Sequence, residues 1–187
     1  MQRCFDRVTA LVPLIGVLGC SDPVPASSAV GLTVNVTQAA SCPVTVGLLD
    51  DIGNPPPDSS ANSPGTRIYD GESGVSVQCS VRAGGSDSYT VSASISSTNP
   101  RVALSVQSAM IAAGTGTAQI GLSSPGIGVA VSSTPDTPCS LQVVSTADGL
   151  KIKPGAIWAR FNCAKLINVP SPICAAYGEF ILENCSK

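Results

Sequence analysis

Apolar and polar positions alternate with a period of two along most of the chain, and the pattern breaks into about nine short runs. They read LTVNV (32–36), VTVGLL (44–49), VSVQCSV (75–81), SYTVSASI (88–95), RVALSVQSAMI (101–111), TAQIGL (117–122), SLQVV (140–144), AIWARFNC (156–163) and YGEFILENC (177–185). In the third run Val75, Val77, Cys79 and Val81 share one face, so Cys79 is expected to point inward. Tyr89, Val91, Ala93 and Ile95 do the same in the fourth. Many runs end at Gly, Pro, Asn or Asp, residues that turn the chain, and no long segment has a helical period with caps. The pattern therefore predicts an all-β fold, either an antiparallel β-sandwich or a partly closed barrel, braced by disulfides.

Three stretches interrupt the ladder. Residues 53–65, GNPPPDSSANSPG, carry four prolines and no large apolar side chain, and are expected to form a loop. SSTPDTP (132–138) and NVPSP (168–172) are shorter versions. Before the first run, SDPVPASSAVG (21–31) is rich in Pro and Ser and reads as a semi-extended tether. A length of 187 residues with 43% hydrophobic composition suits one domain, expected over residues 32–187. Charged residues make up only 12%, the formal net charge is -2, and Lys and Arg are scattered singly, so no basic stripe is available for nucleic acid.

Residues 1–19 differ from the rest. Arg3 and Arg7 lead into an apolar run from Val8 to Gly19, which is twelve residues long. A membrane-crossing helix needs about 20, so the run fits the apolar centre of an export signal better than a permanent span. Its exit, Val17-Leu18-Gly19-Cys20, resembles the lipobox of bacterial lipoproteins, with Val17 where Leu is commoner in that family. The resemblance implies that Cys20 receives diacylglycerol, that the chain is cut just before it, and that the new amine is acylated. It divides the chain into a signal peptide at 1–19, a lipid-anchored tether at 20–31 and the β domain, and places the protein at a bacterial cell envelope with a membrane as partner. Several acyl chains anchor far better than one, since each buried CH2 contributes about 0.8 kcal/mol. A competing cut after Val24-Pro25-Ala26 would remove Cys20 with the signal.

Eight cysteines are present. Setting aside Cys4 with the signal and Cys20 with the lipid leaves Cys42, Cys79, Cys139, Cys163, Cys174 and Cys185, an even set suited to three disulfides in an oxidising compartment. Of the 15 connectivities that six cysteines allow, the reading adopted here joins Cys163 to Cys174 across the Pro-rich loop and leaves Cys42, Cys79, Cys139 and Cys185 for the other two bonds. Zinc is disfavoured by the lack of any C-x-x-C spacing among the six and of any His.

The missing His also removes Ser-His-Asp, Cys-His and His-based acid–base machinery. Gly71-Glu72-Ser73-Gly74 is followed by Val75, so it is expected to be a turn rather than a nucleophile elbow. GTGTA (114–118) lacks the G-K-[ST] ending of a phosphate loop and reads as a tight turn. Asp50 with Asp51, or Asp70 with Glu72, would suit Ca2+, although solvated turn acids are the simpler reading. Trp158 and Arg160 sit two apart on one run; they form either a small outward recognition patch or, for Trp158, cover over one end of the core. No cofactor is expected. The function expected is a non-enzymatic binding or structural role at the envelope, with an envelope protein as partner. The alternatives are a carrier holding a small apolar ligand between its sheets and a carboxylate-dependent hydrolase.

Overall fold

A computed structural model of the chain describes residues 23–35, 47–53, 65–125, 127–128, 130–167 and 173–187, with backbone alone for 32–35, 47–50 and 173. Among the described residues there are fourteen strands and no α-helix. In chain order they are β1 (Ser27–Asn35), β2 (Gly47–Ile52), β3 (Ile68–Tyr69), β4 (Val75–Ala83), β5 (Ser88–Thr98), β6 (Arg101–Ala112) and β7 (Thr115–Ser123). Then follow β8 (Val131–Ser132), β9 (Cys139–Val143), β10 (Ser145–Thr146), β11 (Gly149–Leu150), β12 (Ile152–Lys153), β13 (Ala156–Ile167) and β14 (Ile173–Glu183).

All but the small β10–β11 hairpin belong to one sheet, ordered β2-β1-β14-β13-β8-β7-β6-β5-β4. β9 also lies between β13 and β7: it pairs with Thr115–Ala118 on one side and Ala159–Asn162 on the other, while β8 pairs with Gly121 and Leu122 and with Ile167. The two are halves of one strand position, parted by the 133–138 loop, and with β7 and β13 they complete a closed circuit of pairings. The Pro-rich segment that sequence assigns to a loop is thus an excursion in mid-strand.

The inner face follows from alternation. Val75, Val77 and Val81 of β4, Val91, Ala93 and Ile95 of β5, and Ala118, Ile120 and Leu122 of β7 are buried in one cluster with Leu141, Phe161, Phe180 and Leu182. In β6 the buried residues are Val102, Leu104 and Val106, then Ala109 and Ile111. The parity changes because a bulge at this point shifts the pairing with both neighbours, with Ser108 at φ 52°. One inserted residue lets the strand bend without turning its apolar side chains outward. Gly178 of β14 serves the same core. A Cβ there would stand 2.9 Å from Phe161 Cζ and would collide with the Gly31 carbonyl, so the absent side chain makes room for the ring. Phe161 also stacks with Phe180, centroids 6.4 Å apart.

The sheet curls until its β4 edge meets the C-terminus. Val81 N–H donates to Ser186 O at 2.9 Å, Ser186 N–H to Cys79 O at 3.0 Å, and Gly155 N–H to Val81 O at 2.9 Å. The Cys79–Cys185 disulfide locks this seam. The architecture is the all-β, partly closed barrel expected from the pattern. Closing an edge in this way removes unpaired backbone groups that would otherwise template association.

Two expectations need correction. The domain does not start near Leu32, because β1 begins at Ser27 and pairs with β14 along its whole length. Ser27, Ser28, Ala29 and Val30 are all buried, so the small residues that read as tether are strand residues in a crowded position. Nor does Cys163 pair with Cys174. It bonds Cys139, which lies beside it on β9 and is 24 residues away in sequence. The cross-strand register set by Asn162↔Ser140 puts Cys163 next to Cys139, at a Cα separation of 4.3 Å, a proximity invisible without the β9–β13 pairing. Cys174 is disulfide-bonded as well. Cys20 and Cys42 lie outside the described residues.

Candidate functional site

With the inner face given over to packing, the chemistry available to a partner lies on the outer face. Trp158 and Arg160 do share that face on β13, as their spacing implies, but they do not form an exposed pair. Trp158 is only 7% exposed and packs with Ala29, Val144 and Ile181 in a second, smaller cluster on the outside of β1, β13 and β14. This placement corrects both expectations for it, since the indole neither faces solvent nor covers the end of the main core. The cluster forms because Ala29, Ile181 and Trp158 stand opposite one another across three strands. Val144 is tied in by its N–H to Trp158 O at 2.9 Å. One step along, Arg160 stands opposite Glu179 and meets it at 3.4 Å, with Glu179 almost fully buried.

A further step along, an exposed row crosses the sheet. Successive pairings align Arg82, Thr90, Met110, Thr117, Ser140, Asn162 and Tyr177 across seven strands. All of them are exposed, Met110 at 70% and Tyr177 at 43%. Beside it, β4 and β5 present Ser76, Gln78 and Ser80 opposite Ser96, Ser94 and Ser92, and β6 continues with Ser105. The outer face of these strands is therefore rich in hydroxyls and nearly uncharged. It offers hydrogen-bond donors and acceptors at sheet spacing, with Met110 and Tyr177 as apolar contacts. Alternation in the sequence already marks most of these residues as outward, but Met110, in step with Val102, Leu104 and Val106, is turned outward by the β6 bulge, and the alignment into a row depends on registers that a linear reading does not supply.

The carboxylates are dispersed. Asp70 accepts the Val77 N–H at 2.8 Å and Glu72 accepts the Tyr69 N–H at 3.0 Å, so both hold the chain as it enters β4. Glu183 meets Arg67 at 3.2 Å, and Asp148 meets Lys151 at 3.0 Å within the β10–β11 hairpin region. Among the described residues no group of three or more His, Cys, Asp or Glu gathers as a metal site would require. Gly71-Glu72-Ser73-Gly74 is a turn containing a short 3-10 segment, with Gly71, Ser73 and Gly74 all at positive φ. The tight turn read at 114–118 is centred slightly earlier: Ala113 and Gly114, at φ 50° and 80°, join Ala112 to Thr115, and β7 has begun by Thr115.

No helix among the described residues is long and apolar enough to cross a membrane. Compared with protein-family models, with curated proteins and with solved structures, the chain matches none.

Proposed function

We propose that the chain is an exported lipoprotein, anchored through acylated Cys20, whose β domain has a non-enzymatic binding or structural role at the cell envelope. The observation that carries the reading is the coincidence of Val17-Leu18-Gly19-Cys20 with a domain closed by disulfides. Such bonds persist in the oxidising compartments that export reaches and are rare where thiols are kept reduced. The pairing of Cys79 with Cys185 and of Cys139 with Cys163 supports the division of the cysteines made from sequence, in which these residues serve the fold and Cys20 is free to be alkylated.

The binding role rests on the outer face. Its hydroxyl and amide rows, with Met110 and Tyr177 exposed, suit contact with a neutral, hydrogen-bonding envelope partner. The inward side chains of β4–β7, β9, β13 and β14 pack into one cluster, which favours this external mode over a ligand held between the sheets.

Cys20→Ser expressed in the native host tests the anchor. The wild-type chain is expected in the membrane fraction, and the variant in the soluble envelope fraction with its signal uncleaved or cleaved elsewhere. A variant that stays in the membrane with unchanged processing refutes the proposal.

A further inference from the structure

The geometry points to one end of the barrel, formed by Val24, Tyr69, the 152–155 turn and residues 184–187, as a surface that rests against phospholipid headgroups. This inference builds on lipid attachment at Cys20. Its independent support is the shortness of the chain between the anchor and the fold. Pro25 O accepts a hydrogen bond from Asn184 Nδ2 at 3.2 Å, and Ala26 O accepts from Asp70 N–H at 2.8 Å, so the chain is already fixed to the domain at residues 25 and 26. Four residues separate Cys20 from Pro25. Fully extended, that segment spans at most about 18 Å. A domain of this size is about 40 Å across.

The headgroup layer of one leaflet takes up about 5–7 Å of the available reach. What remains, at most about 13 Å, does not let the domain tumble freely or turn its far end to the bilayer. The end bearing residue 25 must face the membrane. That end displays two of the exposed large apolar side chains, Val24 at 62% and Tyr69 at 45%, with Tyr69 directly opposite Ser27 at the start of β1. Tyrosine suits this location because its ring packs at the hydrocarbon boundary while the hydroxyl stays in water. Lys153 and Lys187 are exposed at the same end, with Lys187 lying against Gly155, and Asp70 and Glu72 offset them. The contact is therefore set by the tether and by Val24 and Tyr69, and does not require anionic lipid.

The test is amide hydrogen exchange on the full lipidated chain in phosphatidylcholine vesicles, compared with soluble Cys20→Ser, after mass spectrometry has established what Cys20 carries. Peptides covering 69–74 and 151–155 are expected to exchange roughly threefold or more slowly on vesicles, while residues 164–167, at the other end of β13 from the 152–155 turn, are unchanged. In the lipidated double variant Val24→Ser/Tyr69→Ser, both side chains being exposed, the slowing is expected to shrink. If Cys20 carries lipid but slowing falls on 164–167 or nowhere, the surface is wrongly assigned and the anchor stands. If Cys20 carries no lipid, the anchor and this surface fall together.

Discussion

Removing the Cys79–Cys185 and Cys139–Cys163 disulfides one at a time, with the bond at Cys174 left in place, gives a quantitative check on the fold. Cys79 and Cys185 are 106 residues apart and Cys139 and Cys163 only 24. If a disulfide acts by restricting the unfolded chain, the entropy removed grows with the logarithm of the loop it closes, which gives about 4.8 kcal/mol for the long loop and about 3.5 kcal/mol for the short one. The short loop lies inside the long one. Keeping Cys139–Cys163 therefore shortens the effective long loop by 24 residues, which lowers its contribution only to about 4.5 kcal/mol. Cys79→Ala/Cys185→Ala is thus expected to lose about 1 kcal/mol more stability than Cys139→Ala/Cys163→Ala. The difference is read from urea unfolding, with the slope fitted separately for each variant because freeing a loop exposes more surface on unfolding. The seam adds a second signature. Without Cys185 bonded to Cys79, the amides of Val81, Gly155 and Ser186 lose a covalent clamp beside their hydrogen bonds and should exchange faster in the native state, whereas the Cys139–Cys163 variant leaves them protected. Equal losses, or a larger loss from the short loop, would refute the argument that these two bonds act through the unfolded chain.

Gly178→Ala should destabilise the domain by about 1–3 kcal/mol, since its Cβ has no space beside Phe161 and the Gly31 carbonyl; unchanged thermal unfolding would show that the β1–β14–β13 packing is wrong. Ala113→Gly should stabilise by about 0.5–1 kcal/mol, because Ala113 sits at φ 50° in a two-residue hairpin turn whose handedness suits glycine, and a loss of stability would contradict that turn. Trp158 is the chain's one tryptophan and is buried, so native emission should be blue-shifted and resist acrylamide, turning red only on unfolding. Trp158→Ala should cost about 3–5 kcal/mol, and a cost near zero would return the indole to the surface.

How far the sequence alone leads can be seen in particular strands. The β4 and β5 alternation predicts Val75, Val77, Val81, Val91, Ala93 and Ile95 as core, and they are. Each of those strands has one buried and one solvated face, the condition under which period two is informative. β1 defeats the same reasoning. SSAVG reads as linker, yet it is buried on both faces, against the main core at Val30 and against Trp158 and Ile181 at Ala29, so only small side chains fit on one side. β6 is legible up to Val106 and then changes parity at a bulge that no residue type announces. The cysteines expected to form disulfides do so at every described position, but the partner of Cys163 depends on β9 lying beside β13, a contact made through sheet order rather than chain proximity. Trp158 and Arg160 were legible as sharing a face; that the indole is covered was not, because its cover comes from Ala29 and Val144, far away in sequence.

The mass of the mature N-terminal peptide, taken from chain purified out of its native membrane, tests the central claim most directly. The account predicts a peptide beginning at Cys20 and carrying a diacylglyceryl group on the thiol and a further acyl chain on the amine. A peptide beginning at Ser27 without lipid, or a chain retaining residues 1–19 with Cys20 unmodified, would contradict it.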